Sequence, residues 1–547
     1  MDIRPGLIAL AVTFGLSVPI DRANAASAEV AATQCKALAS ADFSTIEDAP
    51  TQVIAASPVA GTDKVLAHCQ VQGYVAPQVG FKIGLPSPAT WNGKFFEVGC
   101  GGGCGDTDYF GMPRACGEPL ERGYACIAFN GGNSGGDGLL WAANNLQALV
   151  DFGYRGAHVT ALAGKAIIER YYGKPPVHAY FCGCSTGGRM ALIEAQRFPW
   201  DFDGIISGAP WINDTDSAMN FVWANRALKG RDGKPIVNRA DLKLVHEAVL
   251  AKCDMDDGVR DGVIGNPLAC KFDPHELICK AGKNSGCLTR AQADAVQKVY
   301  DGPSNSKGEK TYISGAAVGS EMGWVDDALD YIRSDNLPGG SESWALDYFR
   351  YMVMPPGGPQ WQLTDFDFDR DYKRFGAGVQ ESLLNAANPD LRRFKAAGGK
   401  LLIYQGWNDQ SDLPQMTIDY YATVSKTMGG CKSTEDFARL FVIPGMLHCT
   451  GGDGPFAVDY LSSLERWVEN GQPPDKLIGS HVDDAYLARL GGQHIVAGSS
   501  DIGAYDGPAK FTGALMLKLP LDSKVPVSKY KGSGDPTNAG NFGPVEP

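Results

Sequence analysis

The chain has 547 residues, too many for one compact core, so it needs two or more core-forming units or one domain with a large insertion. Its 44% hydrophobic and 20% charged residues exclude a disordered or fibrous chain. A formal net charge of -13 makes nucleic acid and anionic membrane surfaces poor partners and leaves small neutral or aromatic ligands open.

The N-terminus reads as an export signal. Arg4 gives a basic start, residues 7–20 form an apolar run too short to span a bilayer, and Ala23-Asn24-Ala25 is a small-residue cleavage site. Residues 1–25 are therefore expected to be a signal peptide. The mature chain would begin near Ala26, carry no membrane span, and work in the periplasm or outside the cell. The 14 cysteines suit that compartment, where thiols pair as disulfides. Cys100 with Cys104, and Cys182 with Cys184, lack the spacing of a zinc site.

Strand-like runs follow at residues 81–85, 95–98 and 124–129; the second ends in the glycine loop Gly101, Gly102, Gly103. Residues 156–172 read as a helix, with Ala161, Ala163, Ile167 and Ile168 on one side. A strand at 177–181 runs into Gly183-Cys184-Ser185-Thr186-Gly187-Gly188-Arg189, then a helix at 190–197 and a strand at 202–207. From 212 to 375 the alternation stops, and aromatics, acidic residues and four cysteines take over. It returns as a helix at 389–397, a strand at 400–404, a helix at 418–427 and a strand at 438–443. This predicts one α/β domain built from residues 26–211 and 376–547, its mostly parallel sheet covered by helices on both faces. A lid domain at 212–375 interrupts it. The Gly- and Pro-rich residues 530–547 are expected to wrap the surface.

Gly183-x-Ser185-x-Gly187, set between a strand and a helix, fits the nucleophile elbow of an α/β-hydrolase. Chain order in that fold is serine, acid, histidine. Asp409 follows the strand at 400–404 and is the natural acid, with Asp412 as its rival; His448 follows the strand at 438–443. His448 would take the Ser185 proton during attack on an ester carbonyl, and Asp409 would hold the imidazole in the required tautomer. The oxyanion needs two backbone N–H donors, expected at Thr186 and in the glycine loop at Gly101 and Gly102, although a plain tight turn also explains that loop. Catalysis brings Ser185 and His448 together, which puts their neighbours Cys184 and Cys449 in range of a bond; sequence alone leaves that connectivity open.

Cys184-Ser185, Asp409 and His448-Cys449 resemble the tannase and feruloyl esterase family, which also holds the bacterial hydrolase of mono(2-hydroxyethyl) terephthalate. GCSTGGR, SGAPW, GWND, LFVIPGMLHC, WVENG and YKGSGDP look like its landmarks and cover nearly the whole mature chain. The resemblance implies an α/β-hydrolase core, a lid inserted after SGAPW, and the disulfides Cys184–Cys449, Cys253–Cys270 and Cys279–Cys287. Cys35–Cys69 is a further expected pair.

In the lid, Asp254, Asp256, Asp257 and Asp261 crowd a turn holding Gly258 and Gly262. Hard oxygen ligands of this kind suit calcium, and a solvated acidic turn is the alternative. It is not an EF-hand, because position twelve from Asp254 is Gly265. The resemblance implies a structural calcium held by the side chains of Asp254, Asp257 and Asp261 and the carbonyls of Val259 and Val263. The chain departs from the family at Gln405, where a histidine is common four residues before the acid, and it lacks cysteines for a C-terminal bridge. Cys100, Cys104, Cys116, Cys126, Cys182 and Cys431 are left to form three bridges or to stay as thiols.

The resemblance implies hydrolysis, through an acyl-enzyme, of small-molecule esters of aromatic acids such as galloyl or feruloyl esters. Aromatic diacid monoesters of the terephthalate type are the alternative, with Arg350 the candidate lid cation and a surface salt bridge its ordinary role. An acyltransferase is a further reading; a non-catalytic binding protein is disfavoured by the intact Ser185, Asp409 and His448. Trp324, Trp344, Tyr348, Phe349, Tyr351 and Trp361 are candidates to line an aromatic pocket, packed core being the commoner fate.

Overall fold

Short apolar runs punctuated by glycine and proline build one nine-stranded sheet. The structure, a computed structural model, describes residues 20–61, 66–107, 113–135, 138–282, 285–311, 314–326, 329–335, 337–353, 355–481 and 515–517. The first 19 residues of the expected signal peptide and the tail at 530–547, with YKGSGDP, lie outside the described residues. The strands are β1 (Thr51–Val59), β2 (His68–Val75), β3 (Val79–Pro86), β4 (Lys94–Val98), β5 (Ala125–Phe129), β6 (His178–Ser185), β7 (Gly204–Pro210), β8 (Lys400–Gly406) and β9 (Ala438–Ile443). Their order is β1-β2-β3-β5-β4-β6-β7-β8-β9. β1, β2, β3 and β5 are antiparallel neighbours; from β5 through β4 to β9 every pair is parallel. The expected α/β class, with a mostly parallel sheet, is what forms.

Successive side chains of the parallel strands feed two cores. Phe95, Phe181, Ile205 and Leu401 pack with the helices Gly156–Tyr172 and Thr186–Arg197 on one face. Phe96, Tyr180, Ile206 and Leu402 pack with the helix Tyr460–Asn470 on the other. Burial on both faces explains why these strands read as unbroken apolar runs. The strand expected at 177–181 continues to Ser185, and its helix starts at once at Thr186. The helix expected at 389–397 shrinks to Arg392–Ala396, because Asn388 and Asp390 side chains take the N–H groups of Asp390 and Arg392 at 3.0 and 3.1 Å. The helix expected at 418–427 starts earlier, at Pro414, a residue suited to a first turn.

β7 and β8 pair directly, Ile206 facing Leu402, so residues 211–399 leave the sheet and return to the neighbouring strand. That excursion holds the helices Asp214–Leu228, Arg239–Cys253 and Arg290–Asp301. Trp324, Tyr348 and Phe349 are wholly buried and serve as its core, whereas Trp344, Tyr351 and Trp361 are half-buried. Arg350 Nε donates to the Trp361 carbonyl at 2.8 Å.

Cys35–Cys69, Cys184–Cys449, Cys253–Cys270 and Cys279–Cys287 form as expected. Of the unassigned cysteines, Cys100 pairs with Cys104 and Cys116 with Cys126, while Cys182 and Cys431 stay outside the disulfides.

Three acids meet under the sheet. Glu97 on β4 and Glu194 on the helix Thr186–Arg197 are fully buried, and among the described residues the Glu97 carboxylate oxygens receive no hydrogen bond. Asp201 and Lys165 lie near both. Burial first, then Asp201, pushes the Glu97 carboxyl well above the ordinary range, with Lys165 opposing. The folded chain therefore holds this proton at pH values where the unfolded chain has lost it, so stability falls as pH rises above the unfolded value of about 4.3. Glu97→Gln removes that loss. Its Tm should match wild type near pH 4 and exceed it increasingly toward pH 8; thermal melts across that range check the divergence, and parallel curves would refute it.

Candidate active site

The elbow requires residues without bulk. A Cβ on Gly183 would lie 2.4 Å from the backbone of Gly187, and one on Gly187 would lie 2.7 Å from the Gly99 carbonyl oxygen. Between them Ser185 adopts φ 62 and ψ -123, a strained conformation for a non-glycine residue. It ends β6 and directly precedes the helix Thr186–Arg197. Trp211 N donates to the Ser185 carbonyl at 3.1 Å, tying the elbow to the end of β7. Deep in the same helix, Arg189 donates to the carbonyls of Phe152, Gly153 and Leu384, linking the elbow to the far end of the excursion. No sequence signal beyond its place in GCSTGGR pointed to that role.

Asp409 and His448 come from the loops after β8 and β9. The Asn408 N–H donates to the Met446 carbonyl at 2.9 Å, and a Cβ on Gly406 would lie 2.3 Å from that same oxygen, so the two loops are in close contact. His448 Nδ1 lies 3.0 Å from Asp409 Oδ2 and 3.1 Å from Oδ1. Asp409 Oδ1 also accepts the N–H groups of Ser411 and Asp412, each at 2.9 Å. Its Oδ2 accepts Gln405 Nε2 at 3.0 Å. These donors hold the carboxylate in place against the imidazole. The Cys184–Cys449 bridge, with Cα atoms 6.0 Å apart, fastens the residue beside Ser185 to the residue beside His448.

Asp412, the rival acid, is also there. Its Oδ2 is 3.5 Å from His448 Nδ1, and its carboxyl is pushed well above the ordinary range, chiefly by burial and then by Asp409 and Asp214, with His448 opposing. Asp409 is closer and better supported by donors.

The glycine loop lies against the elbow. Thr186 Oγ1 donates to the Gly102 carbonyl at 2.8 Å, so Thr186, Gly102 and Gly101 are brought together. The Cys100–Cys104 bridge closes this run of three glycines, and the Cys104 N–H donates to the Gly101 carbonyl at 3.1 Å. Beside the loop, Trp141 Nε1 and Trp344 lie 3.7 and 3.8 Å from where a Gly103 Cβ would stand.

The sequence pattern described as "Tannase and feruloyl esterase" matches residues 63–514. The chain belongs to the tannase and feruloyl esterase family. By that membership it is a carboxylic ester hydrolase. The mono(2-hydroxyethyl) terephthalate hydrolase of Piscinibacter sakaiensis is 31% identical to it, over 90% of this chain and 87% of that protein. A probable feruloyl esterase of Arthroderma benhamiae is 31% identical, over 75% of this chain and 77% of its own length. The crystal structure of feruloyl esterase B from Aspergillus oryzae superposes with a TM-score of 0.72 at 24% identity, covering 83% of this chain and 93% of that one. Tannin acyl hydrolase from Aspergillus niger gives 0.67 at 22% identity, covering 89% and 91%. These two likenesses establish the shared fold.

Within this tannase and feruloyl esterase fold, Gln405 stands four residues before Asp409, at the end of β8. It is fully buried, and besides Asp409 it donates to the Asp412 carbonyl at 2.8 Å and accepts Thr417 Oγ1 at 2.8 Å. Sequence reasoning noted the departure and missed its contact with the acid.

The acidic loop follows the helix Arg239–Cys253 and is bracketed by Cys253–Cys270. Gly258 and Gly262, with φ 92 and 79, make the turns. Asp254 Oδ1 accepts the N–H groups of Asp261 and Gly262, Asp257 Oδ1 accepts Val259 N–H, and Asp261 Oδ1 accepts Val263 N–H. The Asp261 carboxyl is raised by burial and by Asp257 and Asp254. The donors are all hard oxygens and repel one another, which fits a divalent cation. The groups of acid and histidine ligand atoms that lie within 4.8 Å of one another among the described residues are elsewhere: His158 with Glu194 and Asp201, and Asp409 with Asp412 and His448. No helix among the described residues is long and apolar enough to cross a membrane.

Proposed function

We propose that this chain is an exported serine esterase that cleaves esters of aromatic, phenolic acids of the galloyl or feruloyl type. The observation that carries the reading is a buried His448 held by Asp409 on a loop that is disulfide-bonded to the residue beside Ser185. His448 Nε2 accepts the Ser185 proton as Oγ attacks the ester carbonyl. The N–H of Thr186, and one from the loop at Gly101 and Gly102, receive the oxyanion. The intermediate collapses as His448 returns its proton to the leaving alcohol. Water, deprotonated by the same histidine, then frees the acid. The half-buried Trp344 and Trp141 beside the glycine loop offer aromatic surface for the acyl ring.

The relatives include an enzyme named for a terephthalate monoester, whose free carboxylate calls for a cation. Here the charge beside the triad is the buried acid Asp412, the buried Arg189 is already engaged by Asp214 at 3.9 Å and by three backbone carbonyls, and Arg350 is engaged by the Trp361 carbonyl. This favours acyl groups without a second carboxylate.

The test is hydrolysis of methyl gallate, methyl ferulate, methyl 4-hydroxybenzoate, a terephthalate monoester and 4-nitrophenyl acetate. Turnover led by a phenolic ester supports the reading. Preference for the terephthalate monoester would move the assignment to that class, and no turnover by folded protein would refute it.

We further propose calcium at Asp254, Asp257 and Asp261 with the carbonyls of Val259 and Val263. When bound, it supplies a structural cross-link in the excursion and takes no part in the ester chemistry. A ligand present at 100 times its Kd stabilises by ~2.7 kcal/mol. A calcium chelator should lower Tm by several degrees, and added calcium should restore it. A melt insensitive to both would contradict the site.

Six disulfides and the short apolar run at 7–20 before Ala23-Asn24-Ala25 support export.

A further inference from the structure

Asp412 faces the same ring nitrogen of His448 as Asp409 does. Its Oδ2 is 3.5 Å from His448 Nδ1, against 3.0 Å for Asp409 Oδ2. It is 2% exposed, and neither oxygen receives a hydrogen bond among the described residues. One ligand atom from each of Asp409, Asp412 and His448 lies within 4.8 Å of the others. Zinc takes histidine nitrogen and carboxylate oxygen at about 2.0–2.2 Å in a tetrahedron, which sets neighbouring ligands ~3.3 Å apart. The observed spacings of 3.0 and 3.5 Å bracket that value. Calcium, which takes about six to eight oxygens at longer range, suits the set poorly. A dication also neutralises two buried carboxylates that otherwise repel.

We propose that Asp409, Asp412 and His448 Nδ1 form an inhibitory site for a divalent transition-metal ion of the zinc type. The proposal rests on the triad reading above. Metal on Nδ1 leaves the ring proton on Nε2, the nitrogen that must accept the Ser185 proton, so attack is blocked. The Nδ1 proton moves to Nε2 and the ring stays neutral. Both carboxylates bind ionised, and any proton held by Asp412 passes to solvent. Esterase activity is then reversibly silenced by zinc without loss of fold.

The experiment titrates zinc chloride against aromatic-ester turnover by calcium-replete wild type, Asp412→Asn and Asp412→Ala, each relative to its own zinc-free rate. Wild type should be inhibited and recover on dialysis, and both variants should need at least ~10-fold more zinc. Cobalt(II), read by the visible absorption of its tetrahedral form, reports binding without activity: wild type should show the band and the variants lose it. Equal zinc sensitivity in all three proteins, or no cobalt band in wild type, would overturn the site. Absence of turnover before zinc is added would count against the triad reading instead, and the cobalt spectrum would still decide the site.

Discussion

Asp409→Asn is expected to lower kcat by ~10⁴-fold while the protein stays folded. The carboxylate has two distinct sides. Oδ1 accepts the N–H groups of Ser411 and Asp412, so an asparagine must keep its carbonyl there. Its amide nitrogen then replaces Oδ2, facing His448 Nδ1 and Gln405 Nε2. A donor in that place forces the imidazole into the tautomer with its proton on Nε2, which cannot accept from Ser185. The donor–donor contact with Gln405 adds a modest stability cost, about 1–3 kcal/mol. Steady-state kinetics beside a thermal melt check this. A folded variant within tenfold of wild type would remove Asp409 from the mechanism.

The second large effect is expected from Cys184→Ala/Cys449→Ala. The bridge spans 265 residues, and loop-closure entropy puts its contribution near ~5 kcal/mol as an upper figure. It also fixes the elbow against the histidine loop, and a misplacement of about 1 Å at reacting groups costs ~10²-fold. Both stability and kcat should fall together. Cys279→Ala/Cys287→Ala, which opens a separation of 8 residues within the excursion, is the control, with a loss of ~2 kcal/mol and unchanged kcat. Denaturant unfolding and initial rates on both variants separate the two contributions. Equal kcat in the 184/449 variant and wild type would show that the bridge is only a fold staple.

Much of the site is legible in the sequence because its signals are local. The elbow needs glycines at 183 and 187 for close backbone approach, and the acid and histidine each follow an apolar strand by a few residues. The α/β sheet is legible for the same reason. What escapes notice depends on contacts between distant segments. Cys100–Cys104 and Cys116–Cys126 are short-range bridges, yet a count of cysteines cannot choose among connectivities. Gln405 stands out in the sequence only as a departure from the resemblance, and its contact with the acid emerges when the fold turns its amide onto Asp409. Glu97, in the middle of an apolar run, gives no hint that Glu194 and Asp201 lie beneath it. Among the aromatics of the excursion, burial sorts Trp324, Tyr348 and Phe349 into core and leaves Trp344 beside the glycine loop, a division that composition does not encode.

The measurement that bears most directly on the central claim is covalent. An aryl-ester substrate is followed while the enzyme is treated with a serine-directed phosphonate, and the inactivated protein is digested for mass spectrometry. The serine-esterase account predicts stoichiometric loss of turnover, one adduct on Ser185, and neither turnover nor adduct in Ser185→Ala. Full turnover by Ser185→Ala, or inactivation with the adduct on another residue, would contradict it.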